Sequence, residues 1–261
     1  MTWIVTGGSV ADHIVDVKDE VGNRAKFKQP RDQGPRKLIE ISNELIVHDL
    51  ARSMTLTTAH TCYGQIGGKP GIISTYESNL NWSHITTARL QSSVVNLDQV
   101  RQLLAFDIWI ANADRPAGKG DHLVVKQIGD VYLAYPIDAS HTLNGYSGEM
   151  WPDGNVEITS RFPVEAYSHI SEGEIQSYSQ LEPMVNKIQM IRETAVSTIV
   201  DSVTTQVSSD RPLEENEILR KNSEIVKRLL SFRRNMLAST IRLWCHAKGK
   251  TDDFQEPGGH V

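Results

Sequence analysis

Lys26 sits in Arg24-Ala25-Lys26-Phe27-Lys28, a run that reads as a strand, and Glu44 lies between Ile41, Leu45 and Ile46 in a run of helical spacing. Asp114 follows a strongly apolar stretch in Ile110-Ala111-Asn112-Ala113-Asp114-Arg115, and Asp138 follows another in Tyr135-Pro136-Ile137-Asp138. Phosphoryl transfer needs a cation on the phosphates, carboxylates on magnesium and a carboxylate near the attacking hydroxyl, and these residues supply such parts. In a strand, Lys26 and its immediate neighbours point to opposite faces, so a Lys26 turned into a cleft can meet phosphates. A carboxylate at the apolar edge of a helix needs a partner, because an unpaired charge is costly to bury, and Lys26 is a candidate partner for Glu44. Each stretch also has a plainer reading: an exposed strand lysine, a solvated helix glutamate, turn residues that end a helix, an aspartate that ends a strand. Only their order along the chain separates the two readings.

The elements that must position these residues follow from periodicity. Residues 3–5 form a short apolar run ending at Gly7-Gly8, residues 13–17 alternate, and Gly22-Asn23 marks a turn before residues 24–28, so this region reads as a hairpin. Leu38, Ile41, Leu45, Ile46, Leu50 and Met54 recur at helical spacing. Residues 59–83 hold Gly71-Ile72-Ile73, which reads as one strand leading into a linker. Residues 96–110 read as a largely buried helix with Asp98 as a cap near its start. Residues 123–127 and 131–136 read as paired strands around a Gly129-Asp130 turn. Residues 175–207 and 214–244 are rich in helix formers, with a break at 208–212. A β-rich first part and a mainly α-helical second part predict a two-lobed α+β protein, with lobes at residues 1–78 and 79–261.

Composition narrows the class. With 261 residues and 39% hydrophobic content, the chain can bury a sizeable core. Charged residues make up 23% and the net charge is -5, which gives no overall basic footprint for direct nucleic-acid binding and argues against standing attachment to an anionic membrane. Cys62 and Cys245 are the only cysteines and form no C-x-x-C pair, so a structural zinc site is not expected and a reducing compartment is. No run approaches the roughly 18 apolar residues of a membrane span. The first residues lack a basic and then apolar signal-peptide pattern, so the expected location is the cytoplasm.

The motifs carry a resemblance. Ala25-Lys26-Phe27-Lys28, then Leu38, Asn43-Glu44-Leu45-Ile46 and Leu50-Ala51, resemble the N-lobe of the bacterial HipA-like kinases, where a V-K-F strand is followed by an N-E-L helix. Phe106-Asp107-Ile108-Trp109-Ile110-Ala111-Asn112-Ala113-Asp114-Arg115 is similar to the family's F-D-x-W-I-x-N-x-D-R-H segment, and Ile137-Asp138-Ala139-Ser140-His141 to its I-D motif. Residues 229–241, with Arg233-Arg234, resemble its last helix. The resemblance implies a protein-kinase-like fold using ATP and magnesium. Lys26 would pair with phosphates, Glu44 would position Lys26, Asp114 would accept the substrate proton, and Asp138 would hold magnesium. Gly7, Gly8 and Ser9 stand where the family has its phosphate loop, with Ser9 a candidate for self-phosphorylation. Tyr76 and Glu77 fall where adenine would meet the hinge. The family implies a protein serine or threonine as acceptor and a small antitoxin-like partner.

The resemblance breaks after Arg115. The family reads His, two residues, Asn; here Pro116 replaces the His. Counted straight, Lys119 takes the Asn position and would repel magnesium. With two extra loop residues Asp121 takes it, and Asp is a good ligand for magnesium. His122 and His141 read as structural or surface residues. A working kinase, a silent nucleotide- or partner-binding module, a phosphoinositide-type kinase and a metal-dependent hydrolase built on Asp114, Asp121 and Asp138 therefore all stay open.

Overall fold

The computed structural model describes residues 2–8, 13–30, 34, 36–75, 80–82, 85, 92–112, 115–116, 122–137, 139, 142–143, 164, 167–209 and 211–251. Five strands, β1 (Trp3–Gly7), β2 (Ile14–Asp19), β3 (Arg24–Lys28), β4 (His60–Ile66) and β5 (Lys69–Thr75), form one antiparallel sheet in the order β1-β2-β3-β5-β4. Register assigns its two faces. Val15 opposes Phe27, Val17 opposes Ala25, and Ile73 opposes both Phe27 and Cys62, so these side chains share one face as a small core of their own. Lys26, Lys28, Ile72 and Ser74 lie on the other face. A Cβ on Gly71 would lie 2.6 Å from the Phe27 ring and 2.4 Å from the Lys28 carbonyl oxygen, so only glycine lets β3 and β5 close at that point.

Helix α1 (Arg36–Ser53) connects β3 to β4 and is buried on nearly every side. It packs against β4, β5 and two later helices, and its apolar residues join one large core that also contains Ile72. The chain continues with β6 (Leu80–Asn81), followed by α2 (Leu97–Ile110), β7 (Leu123–Ile128) and β8 (Val131–Pro136); the strands pair in the order β6-β7-β8. Then come α3 (Glu182–Met190), α4 (Glu193–Ser208) and α5 (Leu213–Ala247). The expected mixed α+β architecture, sheet first and helices after, is what the chain forms. Among the described residues no helix is long and apolar enough to cross a membrane.

Two local expectations need correction. Residues 59–83 hold a hairpin, not a single strand: Gly67 (φ 58°) and Gly68 (φ 76°) supply the positive φ of a tight turn between β4 and β5. Asp98 does not cap α2; it lies in the first turn and pairs with Arg101 at 2.8 Å. The residue before the helix is Asn96, whose side chain instead bonds both the nitrogen and the oxygen of Ala134 on β8, at 2.9 and 2.5 Å. Within residues 175–207, rich in helix formers, extended backbone at Ile191 separates α3 from α4.

Candidate active site

Lys26 and Glu44 are not partners. Lys26 and Lys28 emerge on the same face of β3, but the register sets Lys26 opposite Asp16, and their side chains pair at 3.0 Å on an exposed surface (38% and 61% exposed). Lys28, one period nearer α1, meets Glu44 at 2.7 Å with exposures of 12% and 4%. The expected lysine–glutamate contact therefore exists with a different lysine. The sequence offered two lysines of equal parity, and what distinguishes them is the cross-strand carboxylate of Asp16. Lys28 and Glu44 also take part in further interactions.

Glu44 is held by its own neighbour in the motif. Asn43 donates from Nδ2 to the Thr142 carbonyl (3.0 Å) and accepts at Oδ1 from Asn222 on α5 (3.2 Å). The Thr142 hydroxyl donates to the Ala139 carbonyl at 2.6 Å. At the far end of α1, Lys187 of α3 donates to Thr55 Oγ1 (2.8 Å) and to the Met54 carbonyl (3.3 Å). The helix bearing Glu44 is thus tied to the second lobe at its middle and at its end.

The second cluster lies where α2 stops. Ala111 takes a left-handed conformation (φ 58°), Asn112 N–H donates to the Asp107 carbonyl at 2.8 Å and Ala111 N–H to that of Ile108 at 3.4 Å, the paired closure of a helix C-terminus. A non-glycine residue there is strained by about 1 kcal/mol, and Ala111 is fully buried. Asp107, buried, accepts hydrogen bonds from Arg115 and from Asn112 Nδ2 (3.1 Å) at Oδ1, and from His169 at Oδ2 (3.0 Å). Ser171 N–H donates to His169 Nδ1 at 3.1 Å, so the imidazole proton sits on Nε2 and is donated to Asp107. Burial alone would raise the Asp107 carboxyl, but the Arg115 charge and the His169 bond outweigh it and hold the group below its ordinary value. Burial also pushes His169 below its ordinary value, against the pull of Asp107.

Arg115 is the brace of this region. Beyond Asp107, its Nε donates to the His122 carbonyl and its Nη2 to the Ile137 carbonyl, both at 3.3 Å. Its own carbonyl accepts from Ile170 N–H at 3.0 Å, and Pro116 bridges to His169. One side chain therefore fixes the end of the 116–122 loop and the residue just before Asp138. Sequence reading missed this cluster, although Asp107 inside an apolar helix was a signal that a buried cation must meet it.

Gly7 ends β1 after a register shift, and Gly8 follows at φ 79°, a conformation that favours glycine. Ser9, Tyr76, Glu77, Asp114, Asp121 and Asp138 lie outside the described residues, as do Lys119 and His141. A groove of about 890 Å³ opens at the Thr75 end of the sheet, between Trp3, Ile73 and Lys126. It lies on the Cys62–Ile73 face, so the sheet separates it from the Lys28–Glu44 pair.

A sheet followed by helices, with a lysine–glutamate pair between the sheet and its helix, defines a kinase-like two-lobed fold. HipA of Shewanella oneidensis MR-1, a toxin–antitoxin protein solved with HipB and operator DNA, has this fold: TM-score 0.51, 9% identity, covering 90% of this chain and 67% of that one. The Helicobacter pylori proinflammatory kinase CtkA aligns with TM-score 0.48 and 12% identity over 89% of this chain and 95% of its own. The sequence matches no family model and no curated protein.

Proposed function

We propose that the chain is an ATP- and magnesium-dependent phosphotransferase acting on a protein serine or threonine hydroxyl. The observation that carries this reading is the Lys28–Glu44 pair: a partly exposed ammonium aimed by a buried carboxylate is suited to gripping nucleotide phosphates. ATP would supply the phosphoryl group, and magnesium would neutralise its charge. Lys28 would hold the phosphates, with Glu44 fixing its direction. Asp138 and Asp121 would hold the metal, and Asp114 would accept the hydroxyl proton. Lys26 drops out of this role because its partner is Asp16 on the exposed surface and not Glu44.

Support for a working rather than a silent site comes from Arg115, which opens the altered loop and bonds both its far end, at His122, and Ile137 beside Asp138. The family-pattern His is Pro116 here, but its bridge partner is itself a histidine, His169, bonded to Asp107. By likeness to HipA, the partner class is a small antitoxin-like protein and the setting the cytoplasm.

The test is label transfer from ATP, to the chain itself and to protein extract, with and without magnesium. Lys28→Ala should cut transfer about 100-fold, the usual loss for one charge-stabilising donor. Lys26→Ala should leave it near the native level, and Asp114→Asn should abolish it. Magnesium-ATP binding without transfer in the native chain would replace the proposal with a silent nucleotide-binding module. Transfer to lipid vesicles but not to protein would replace the acceptor.

A further inference from the structure

A smaller cavity lies in the helical lobe, behind the helix that carries Asp107. It encloses about 240 Å³ between α2, α4 and α5. Its floor is apolar, made by Trp109, Val196 and Leu230, all buried. Its rim carries three cations, and they differ in how firmly they are held. Lys227 is paired with Asp201 at 2.6 Å and Glu224 at 3.1 Å. Arg234 donates to the Ile191 carbonyl and to Glu193 Oε1, both at 2.9 Å, and the Ser231 hydroxyl donates to the same Oε1 at 2.9 Å. Arg228 is exposed and has no ion pair among the described residues.

The Glu193 contact is unequal. Its side chain is 67% exposed, whereas Arg234 is 15% exposed. A shielded guanidinium and a hydroxyl thus converge on a carboxylate that stands mostly in water and is cheaply displaced. An anion brought there with its own apolar body would keep both hydrogen bonds and add contact with the floor. Such pairing is strongest for a guanidinium with a planar carboxylate or a phosphate.

We propose that this cavity binds a small organic anion: one ring or short chain bearing a single carboxylate or phosphate. The apolar body rests on Trp109, Val196 and Leu230. The charged group takes the place of Glu193 on Arg234 and Ser231, and Arg228 closes over it. The volume is below the range of nucleotide-sized pockets, so this is not a second phosphate-transfer site, and the inference stands without the kinase reading. A ligand there would touch Trp109, whose Nε1 donates to the Leu230 carbonyl at 3.0 Å, one of the bonds holding α2 to α5.

Titration calorimetry of the full chain with benzoate, phenyl phosphate and benzyl alcohol tests the proposal. Saturable binding of at least one anion is expected, with the neutral alcohol at least fivefold weaker. Arg228→Ala should weaken the anion about fivefold, the size of one partly exposed charge contact. Glu193→Gln should tighten it, and Ser197→Phe, which fills the cavity, should abolish it. Should Ser197→Phe fail to fold, the surface change Arg228→Glu tests the same site by charge reversal. Absence of saturable binding, equal binding of the alcohol, or binding that survives both Ser197→Phe and Arg228→Glu overturns the site. Benzoate against phenyl phosphate decides between carboxylate and phosphate. Loss of magnesium-ATP binding has no bearing on any of these outcomes.

Discussion

Two ion-pair clusters of the molecule are built to opposite designs. Lys28–Glu44 is a pair whose cation keeps some contact with solvent. Asp107–Arg115–His169 is a sealed network in which every member is at most 2% exposed. A partly exposed ammonium can take up a ligand oxygen on its open side while keeping its buried carboxylate. A sealed guanidinium cannot, so Arg115 belongs to the frame that holds the loop rather than to the chemistry. Both are pairings of a base with a carboxylate, and burial sets how open each is to solvent.

The comparison breaks most visibly at Asp107. Asp107→Asn should destabilise the protein by about 3–5 kcal/mol, because the Arg115 charge is left buried without its partner. A urea titration followed by far-UV circular dichroism measures this; a loss under about 1 kcal/mol would mean that the network is not sealed. Next in size, Gly71→Ala should cost about 1–3 kcal/mol by overpacking Phe27 and the Lys28 carbonyl, and should weaken nucleotide binding because β3 must shift. Unchanged binding beside lowered stability would detach the Lys28 position from the packing beneath it.

Acid should act on the sealed cluster. Both His169 and Asp107 have folded values below their ordinary ones. Stability is therefore complete above the ordinary histidine value of about 6.5 and falls as pH drops below it, because the unfolded chain binds the proton that the fold refuses. The slope is at most about 1.4 kcal/mol per pH unit for His169, with a second fall below about pH 4 as Asp107 follows. His169→Gln should remove the first slope and keep the second; a slope that persists unchanged assigns it to another group. The smallest effect is expected at Lys26→Ala, within about 0.5 kcal/mol in the same urea titration, since its pair with Asp16 is exposed. A larger loss would make the outer pair part of the frame.

Much of the fold was legible because periodicity and turn chemistry agree there. β3 and the β7–β8 hairpin fall where alternation and Gly129-Asp130 put them, and α1 where Leu38, Ile41, Leu45 and Leu50 recur. β4 was not legible, since His60-Thr61-Cys62-Tyr63-Gly64 alternates weakly and only Gly67-Gly68 betrays its turn. Glu44 could be singled out, but its partner could not. Parity makes Lys26 and Lys28 equal, and the choice rests on Asp16, a residue ten positions away that register alone brings across. His169 was beyond reach for the same reason: nothing local links it to Asp107, 62 positions earlier.

The long helix α5 enters this frame at four points: Asn222 on Asn43, the Leu230 carbonyl under Trp109, Arg233 on the Ile108 carbonyl at 2.7 Å, and Trp244 on the Tyr167 carbonyl at 2.9 Å. The ribosome makes α5 after every other element of the described fold, and domains complete their packing only once their parts have emerged. A nascent chain still short of α5 has α1 without its Asn222 anchor and α2 without its backing. Translation itself thus sets the moment at which Glu44 and Arg115 come into place.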